Sequence, residues 1–519
     1  MQHYYAMTGK IAELCKYIKD NLSNTIRCML DTMLANGELE HIITETLCSN
    51  INELKSMIVD IRDYGTFGNG IYDDTLAIQT AIDETAGTKA IYLPAGTYLI
   101  ESLRLKPNTK LIGESKFTTI LKANKNSNAA MIYGEDLDFQ HSEISNITID
   151  GNKENQSSEV DGLRLEMKNI KSYEIVNNYQ DLIIQNCSGS GLVLNGKAGN
   201  NLFVQMRLKN IFSHNNEGYG YVLNHVSDSY IDTCECCQNK KGGFVGVLYS
   251  TKIVSCKAWF NGYEKNGSGF DFEKCTRVTM VACEGQDNWG HGIKFKDSTF
   301  IDLNVDVDNN GILATKDYER IKRENVACKF SGVYFENVTR ANVNITADNF
   351  MYSFFGYMQK TALEIIGGGV ITGVVRTRNQ EQKPIFNEVD FSACEFIIDG
   401  SIYDKTEHYN LNQIEMNTGY SLVTTNDMNK LTKKRNHVHL QAILQVENIT
   451  GTEMKTLFKL PKDVRPNNPI SYCCMLGSSA YNFQELGNLL ISLNGDVSVR
   501  DIKETGLKFV SICLDYDIN

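Results

Sequence analysis

The sequence predicts a mainly β protein: a β-solenoid between an N-terminal α-helical stem and a C-terminal antiparallel β-sandwich. Three observations carry this. Five central segments share one short pattern: Ile184-x-x-Cys187, Ile211-x-x-His214, Ile231-x-x-Cys234, Ile253-x-x-Cys256 and Met280-x-x-Cys283, spaced 27, 20, 22 and 27 residues apart. Each is followed by a glycine-bounded apolar strand: Gly191–Leu194, Gly220–Leu223, Gly243-Phe244, Gly269–Phe272 and Gly292–Phe295. Three place an asparagine five residues after the cysteine: Asn239, Asn261 and Asn288. A period of ~24 residues built from short strands and glycine turns marks a solenoid, and no helix fits inside it. Inward side chains of one coil lie on those of the next, so the asparagines should stack and hydrogen-bond as a ladder.

The helical stem spans 1–58. Ile11, Cys15, Ile18, Leu22, Ile26, Met29 and Met33 form one apolar stripe at helical spacing. Asn36-Gly37 breaks it, and Leu39, Ile43, Leu47, Ile51, Leu54 and Ile58 form a second. Such amphipathic helices with nothing local to pack on suggest self-association; a hairpin capping the solenoid is the alternative. The solenoid spans 59–400, and its exposed edge strands need caps. Within it, Asp73-Asp74-Thr75 reads as the N-cap of a closing helix over 76–83. From 401 to 519 the glycine repeats stop. Alternating strands appear at 437–444 and 490–499, the latter with Asn494-Gly495 as a hairpin turn. A rigid loop, Leu460-Pro461 to Pro469, lies between them.

Composition narrows the setting. The chain has 519 residues, 42% apolar, with 40 Gly against 6 Pro. Met1-Gln-His-Tyr-Tyr has neither a basic start nor an apolar segment, which predicts no secretion signal. No apolar run is long enough to span a membrane. The 15 cysteines suit buried thiols in a chain folded in a reducing cytoplasm. A net charge of −12 argues against nucleic acid as a partner.

The segment Val59–Gln79, with Gly65, Gly68, Gly70, Asp73, Asp74 and Thr75, resembles the entry motif of the pectate-lyase-like superfamily. Ile91-Tyr-Leu-Pro94-Ala-Gly96-Thr-Tyr98 and Ile147-Thr-Ile-Asp150-Gly151-Asn152 continue it in order. The resemblance implies a right-handed parallel β-helix; it does not fix an activity. Met33-Leu-Ala-Asn36-Gly37-Glu-Leu39 ahead of it is similar to stems of tail appendages in phages of Gram-positive hosts. Leu457-Phe-Lys-Leu460-Pro461 and Ile491-Ser-Leu-Asn494-Gly495 are similar to their tip domains. This implies a homotrimeric tailspike in the virion tail, assembled in the host cytoplasm. Its partners would be host cell-surface polysaccharide and, through the stem, other tail or baseplate proteins.

Candidate chemistry follows from strand alternation. The second and fourth residues after each repeat glycine point outward: Arg164 and Glu166, Val193 and Asn195, Val222 and Asn224, Asp271 and Glu273, Lys294 and Lys296, Tyr334 and Glu336. Asp271 and Glu273 are a candidate acid pair for glycan cleavage beside Lys294 and Lys296; a solvated salt ladder is the plainer reading. Asp302, Asn304, Asp306 and Asp308 alternate on one face. They offer either an acid pair, Asp306 and Asp308, or oxygen ligands for Ca²⁺; otherwise no cofactor or metal is implied. Trp259, Tyr263, Trp289 and Lys294 are candidate carbohydrate contacts, with Trp259 expected beside Tyr263 as a stacking platform. Cys234-Glu-Cys236-Cys237 reads as buried packing, since no second metal-spaced pair follows. Gly290-His291-Gly292 and Arg207-Leu-Lys209 imitate polygalacturonase motifs in the wrong order and without paired aspartates. The expected function is a tail appendage that binds host glycan, with depolymerase activity on capsule, exopolysaccharide or teichoic acid as the alternative.

Overall fold

A computed structural model describes residues 24–169, 176–199, 201–311, 329–348 and 359–378, and most of 385–518. The first half of the N-terminal stripe, Ile11 to Leu22, lies outside the described residues. The chain forms two compact units, Met1–Lys294 with Asn310–Lys322, and Phe295–Asn309 with Arg323–Asn519.

In the first unit the stem is two helices, Asn24–Ala35 and Glu38–Met57. Gly37 separates them at φ +78°, a left-handed turn that glycine adopts without cost. Some of their apolar residues face solvent in the single chain, Met29 at 63% exposed and Ile42 at 49%, while Met33, Leu39, Ile43 and Leu47 are half-buried. Parallel pairing starts where Ile58–Asp60 joins Ala90–Leu93. The helix Thr75–Thr85 buries Ile78, Ala81 and Ile82. Its start corrects the capping expectation. Asp74 is 1% exposed and makes no side-chain cap. Its carboxylate instead accepts from the backbone N–H of Phe67 (2.6 Å) and Gly68 (3.0 Å), tying down the preceding loop. Asp73 takes the Thr75 N–H at 2.8 Å.

The coils bend at corners set by non-glycine residues in the left-handed region, and two of these corners flank the strands that carry the repeat. Strand register stacks Asn146, Asp181, Asn210, Thr233, Ser255 and Ala282 at the first, with φ between 50° and 58°. Asn186, Asn215, Gln238, Phe260 and Asp287 mark the second, with φ between 52° and 56°. Asn and Asp tolerate this conformation through local hydrogen bonds; a bulky Phe260 there is a strained outlier.

The predicted ladder follows the second corner. Asn216, Asn239, Asn261, Asn288 and Asn310 are linked Nδ2 to Oδ1 at 2.9, 3.0, 3.2 and 3.1 Å, across steps of 23, 22, 27 and 22 residues. The repeat glycines face it. A Cβ on Gly269 would sit 2.6 Å from Asn288 Nδ2, so the ladder demands glycine there. Beyond them Tyr221, Phe244 and Phe270 stack at 4.2 and 4.8 Å, nearly parallel.

Register also corrects part of the repeat. The inward column is Leu182, Ile211, Cys234, Cys256 and Cys283. Cys187 heads the asparagine column instead, its N–H donating to Asn216 Oδ1. His214 falls between Gln185 and Cys237 on an outward column, and partial burial lowers its pKa. Every described cysteine is a free thiol.

In the second unit Thr299–Asp308, Val333–Asp348 and Leu363–Arg378 run parallel and in register. Parallel pairing continues to Glu395–Ile398, whose next partner, Ser401–Tyr403, is antiparallel. Among the described residues the C-terminal antiparallel domain is a nine-stranded sheet over one core that includes Val438, Leu440, Leu457, Leu489, Val497 and Ile512. The predicted hairpin is present: Ile491 pairs with Val497, and Gly495 turns at φ +89°.

Candidate glycan-binding site

The structure brings together only some of the residues the sequence singled out. Tyr263 lies edge-on against Trp289, ring centroids 6.0 Å apart, not beside Trp259 as expected. The two line a pocket of ≈ 400 Å³ with Asn215, Gln238 and Phe260. Three of these five, Asn215, Gln238 and Phe260, are the left-handed corner residues, so the turn that bends the coil also aims its side chains into the pocket. Asn215 is held from behind: Lys153 Nζ donates to its carbonyl (3.0 Å) and its Oδ1 (2.9 Å), and pairs with Glu217 at 3.2 Å. The Lys240 hydrogen bond, backed by Lys153 against partial burial, keeps the Glu217 carboxyl below its usual range. Trp289 is only 7% exposed, so its ring forms the pocket floor. Three aromatic side chains flanked by two amides suit a sugar ring, which offers apolar C–H faces and hydroxyl edges.

Trp259 stands apart from this pocket's lining. It stacks on Phe212 at 5.7 Å and nearly parallel, with Lys257 5.4 Å from its ring centroid. One face of its indole is therefore already covered.

Asp271 and Glu273 emerge on one face of the strand Phe270–Glu273, as alternation predicts. Asp271 pairs with Lys294 at 3.0 Å. Glu273 pairs with its neighbour Lys274 at 3.2 Å, while Lys296 pairs with Glu336 at 2.9 Å. Val193 breaks the outward rule, at 4% exposed.

Asp306 and Asp308 lie in the second unit on Thr299–Asp308, where Leu303, Val305 and Val307 are buried between them. Asp302 accepts from Asn342 Nδ2 and Asp308 from the Asp348 N–H, so these carboxylates tie coil to coil. Among the described residues no three His, Cys, Asp or Glu side chains converge as a metal site would require. In the Cys234-Glu-Cys236-Cys237 segment the three thiols are at most 7% exposed. Burial pushes Cys237 up to about 12 and Cys236 well above its ordinary value.

A larger cleft, ≈ 620 Å³, was not anticipated as a site. Strand register stacks Asn178, Arg207, Tyr230 and Lys252 in one outward column, with Lys209, Asp232 and Val254 in the next. The Arg207 guanidinium lies 4.3 Å and Lys252 Nζ 5.5 Å from the Tyr230 ring centroid. The sequence signal, a cation or tyrosine two residues before each outward partner, emerges only once coils of unequal length are aligned.

Comparison with known proteins agrees with this fold. The family model described as rhamnogalacturonase A/epimerase, pectate lyase-like, matches residues 58–294. Mannuronan C5-epimerase AlgE1 of Azotobacter vinelandii is 34% identical over 122 residues, 20% of this chain and 9% of that protein. The preneck appendage protein of Bacillus phage PZA is 25% identical over 175 residues, 31% of this chain and 20% of that protein. This chain thus spans a small part of the length of both relatives. The enzymatically active domain of tailspike protein 2 from bacteriophage CBA120 superposes with a TM-score of 0.50 and 13% identity, covering 89% of this chain and 70% of that one. The parallel β-helix of this chain thus includes a segment, residues 58–294, that matches a pectate-lyase-like family model.

Proposed function

We propose that this protein is a bacteriophage tail appendage that binds host cell-surface glycan on the side of its β-helix. The observation that carries the reading is the Tyr263–Trp289 pocket, whose amide and aromatic lining is set by the solenoid's own corners. Similarity to a phage preneck appendage protein supports the tail assignment. Exposed apolar residues on Asn24–Ala35 and Glu38–Met57, Met29, Leu34, Ile42 and Met57, support self-association, a homotrimer in this reading, and attachment to other tail or baseplate proteins. The protein would then act in the virion tail after assembly in the host cytoplasm, with no cofactor needed for binding. Co-sedimentation with host cells tests it: Tyr263→Ala should release the protein from cells that retain the wild type.

A second reading, depolymerisation, is favoured by one observation. Asp271 and Glu273 project from the same strand face, with the Lys294 ammonium against one of them. In that reading the two carboxylates divide acid and base or nucleophile roles across a glycosidic bond. The Asp306 and Asp308 carboxylates, and Ca²⁺ held near them, are a weaker version of the same proposal.

A further inference from the structure

We propose that the cleft at Arg207, Tyr230 and Lys252 is a second binding site, built for a polyanionic glycan. This rests on the glycan-binding reading above and names the chemistry of the ligand. Two cations, Arg207 and Lys209, line the cleft from one strand, and a third, Lys252, lies two coils on, against the Tyr230 ring that also lines it. Among the described residues none of them has a carboxylate within ion-pair distance. Other outward lysines of the β-helix, Lys153, Lys168, Lys240, Lys257, Lys294 and Lys296, do have acidic partners. The cleft's acid, Asp232, has its Oδ1 engaged by the Thr233 hydroxyl at 2.8 Å. Among the described residues the Arg207 guanidinium makes one long hydrogen bond, 3.4 Å, to the Met206 carbonyl. Its fork of donors is left over for an oxyanion.

Tyr230 organises the charges. It comes from the coil between those of Arg207 and Lys252, and both cations lie against its ring. The ring's negative face relieves the repulsion between them. With 42% of its surface exposed, Tyr230 also offers an apolar edge to a sugar. Coils rise ~4.8 Å each, so the strands carrying Arg207 and Lys252 are ~10 Å apart. The ligand that fits is a sugar polymer with an oxyanion at about that repeat, not one bearing a charge on every atom-length step. In a protein of net charge −12, this local positive cleft attracts the polymer despite the overall sign.

The test uses the full chain and titrates three probes: hyaluronan oligosaccharide, with one carboxylate per disaccharide; poly(glycerol phosphate); and uncharged dextran. Binding of either anionic polymer, weakened by added salt, supports the proposal, and the arm that binds identifies carboxylate or phosphate as the oxyanion. Loss of a charge-assisted contact should lower anionic affinity ~10-fold or more in Arg207→Gln and in Lys252→Gln, with Tm unchanged. Lys241→Gln, whose partner is Glu159, should bind as wild type. Unaltered anionic binding in both cleft variants, or equal binding of dextran, overturns the assignment. If the protein still sediments with host cells in that case, glycan binding at the Tyr263–Trp289 pocket stands. If it binds neither cells nor any probe, both readings fall.

Discussion

Asn261 donates through Nδ2 to Oδ1 of Asn288 at 3.2 Å, while its own Oδ1 accepts from Nδ2 of Asn239 at 3.0 Å. Both residues are fully buried, so each amide satisfies the next and none can turn to water. Asn261→Ala strands two donors of Asn239, its backbone N–H and one Nδ2 hydrogen, while Asn288 Oδ1 keeps the backbone N–H of residue 261. At about 1–3 kcal/mol for each buried unsatisfied group, the expected loss is about 2–5 kcal/mol. Thermal or denaturant unfolding should report it, and Gly269→Ala, which pushes a Cβ onto Asn288, should fall in the same direction.

Asp74 anchors the loop before the closing helix through two backbone N–H groups. Asp74→Ala removes both acceptors from a buried position and should cost about 2–4 kcal/mol. Asp73→Ala loses two exposed bonds, from the Thr75 N–H and from Asn124 Nδ2, and should cost about 1 kcal/mol. A larger effect at Asp73 than at Asp74 would restore the capping interpretation.

The thiols divide by burial. Cys473 and Cys513 are exposed, whereas Cys234, Cys236 and Cys256 are buried. In the native protein a thiol reagent should modify the first two rapidly and the solenoid thiols only on unfolding.

The same burial sets an alkaline limit. Cys237 is pushed up to about 12 and Cys474 up to about 11, from 9.0. A raised folded-state pKa means the native state keeps protons that the unfolded chain has lost. Its contribution is complete below pH 9 and disappears as pH rises through 11 to 12. Stability should therefore fall above pH 9, and Cys237→Ser with Cys474→Ser should flatten that slope.

Truncating Tyr263 removes one wall of the aromatic pocket, and Tyr263→Ala should weaken glycan binding by ~1–2 kcal/mol. Trp259→Ala, which loses a ring already stacked on Phe212, should cost stability more than binding. Where host glycan is cleaved, Asp271→Ala/Glu273→Ala should abolish product release. Full cleavage by that double variant would remove the acid pair from consideration.

The asparagine ladder was legible in the sequence because a buried amide stack fixes both residue type and spacing. Asn239, Asn261 and Asn288 repeat against glycines that make room for them. Spacing alone misplaces Cys187 and His214 because the same Ile-x-x-polar spelling recurs at different points of longer coils, and only register separates them. Tyr263 was paired with the wrong tryptophan for a related reason: loop residues between strands carry no alternation to follow. The Arg207–Tyr230–Lys252 column was not legible at all. Its members are unlike residues on three coils, and nothing in a single strand marks them as neighbours.

The most direct test of the account is to incubate the purified protein with host cell-wall and capsular polysaccharide. Retention on cells and chromatography of released oligosaccharide are read together. The account predicts saturable retention that Tyr263→Ala weakens. Released oligosaccharide would add the depolymerase activity and direct attention to Asp271 and Glu273. A protein that neither stays with the cells nor changes the polysaccharide would contradict a glycan-binding tail appendage.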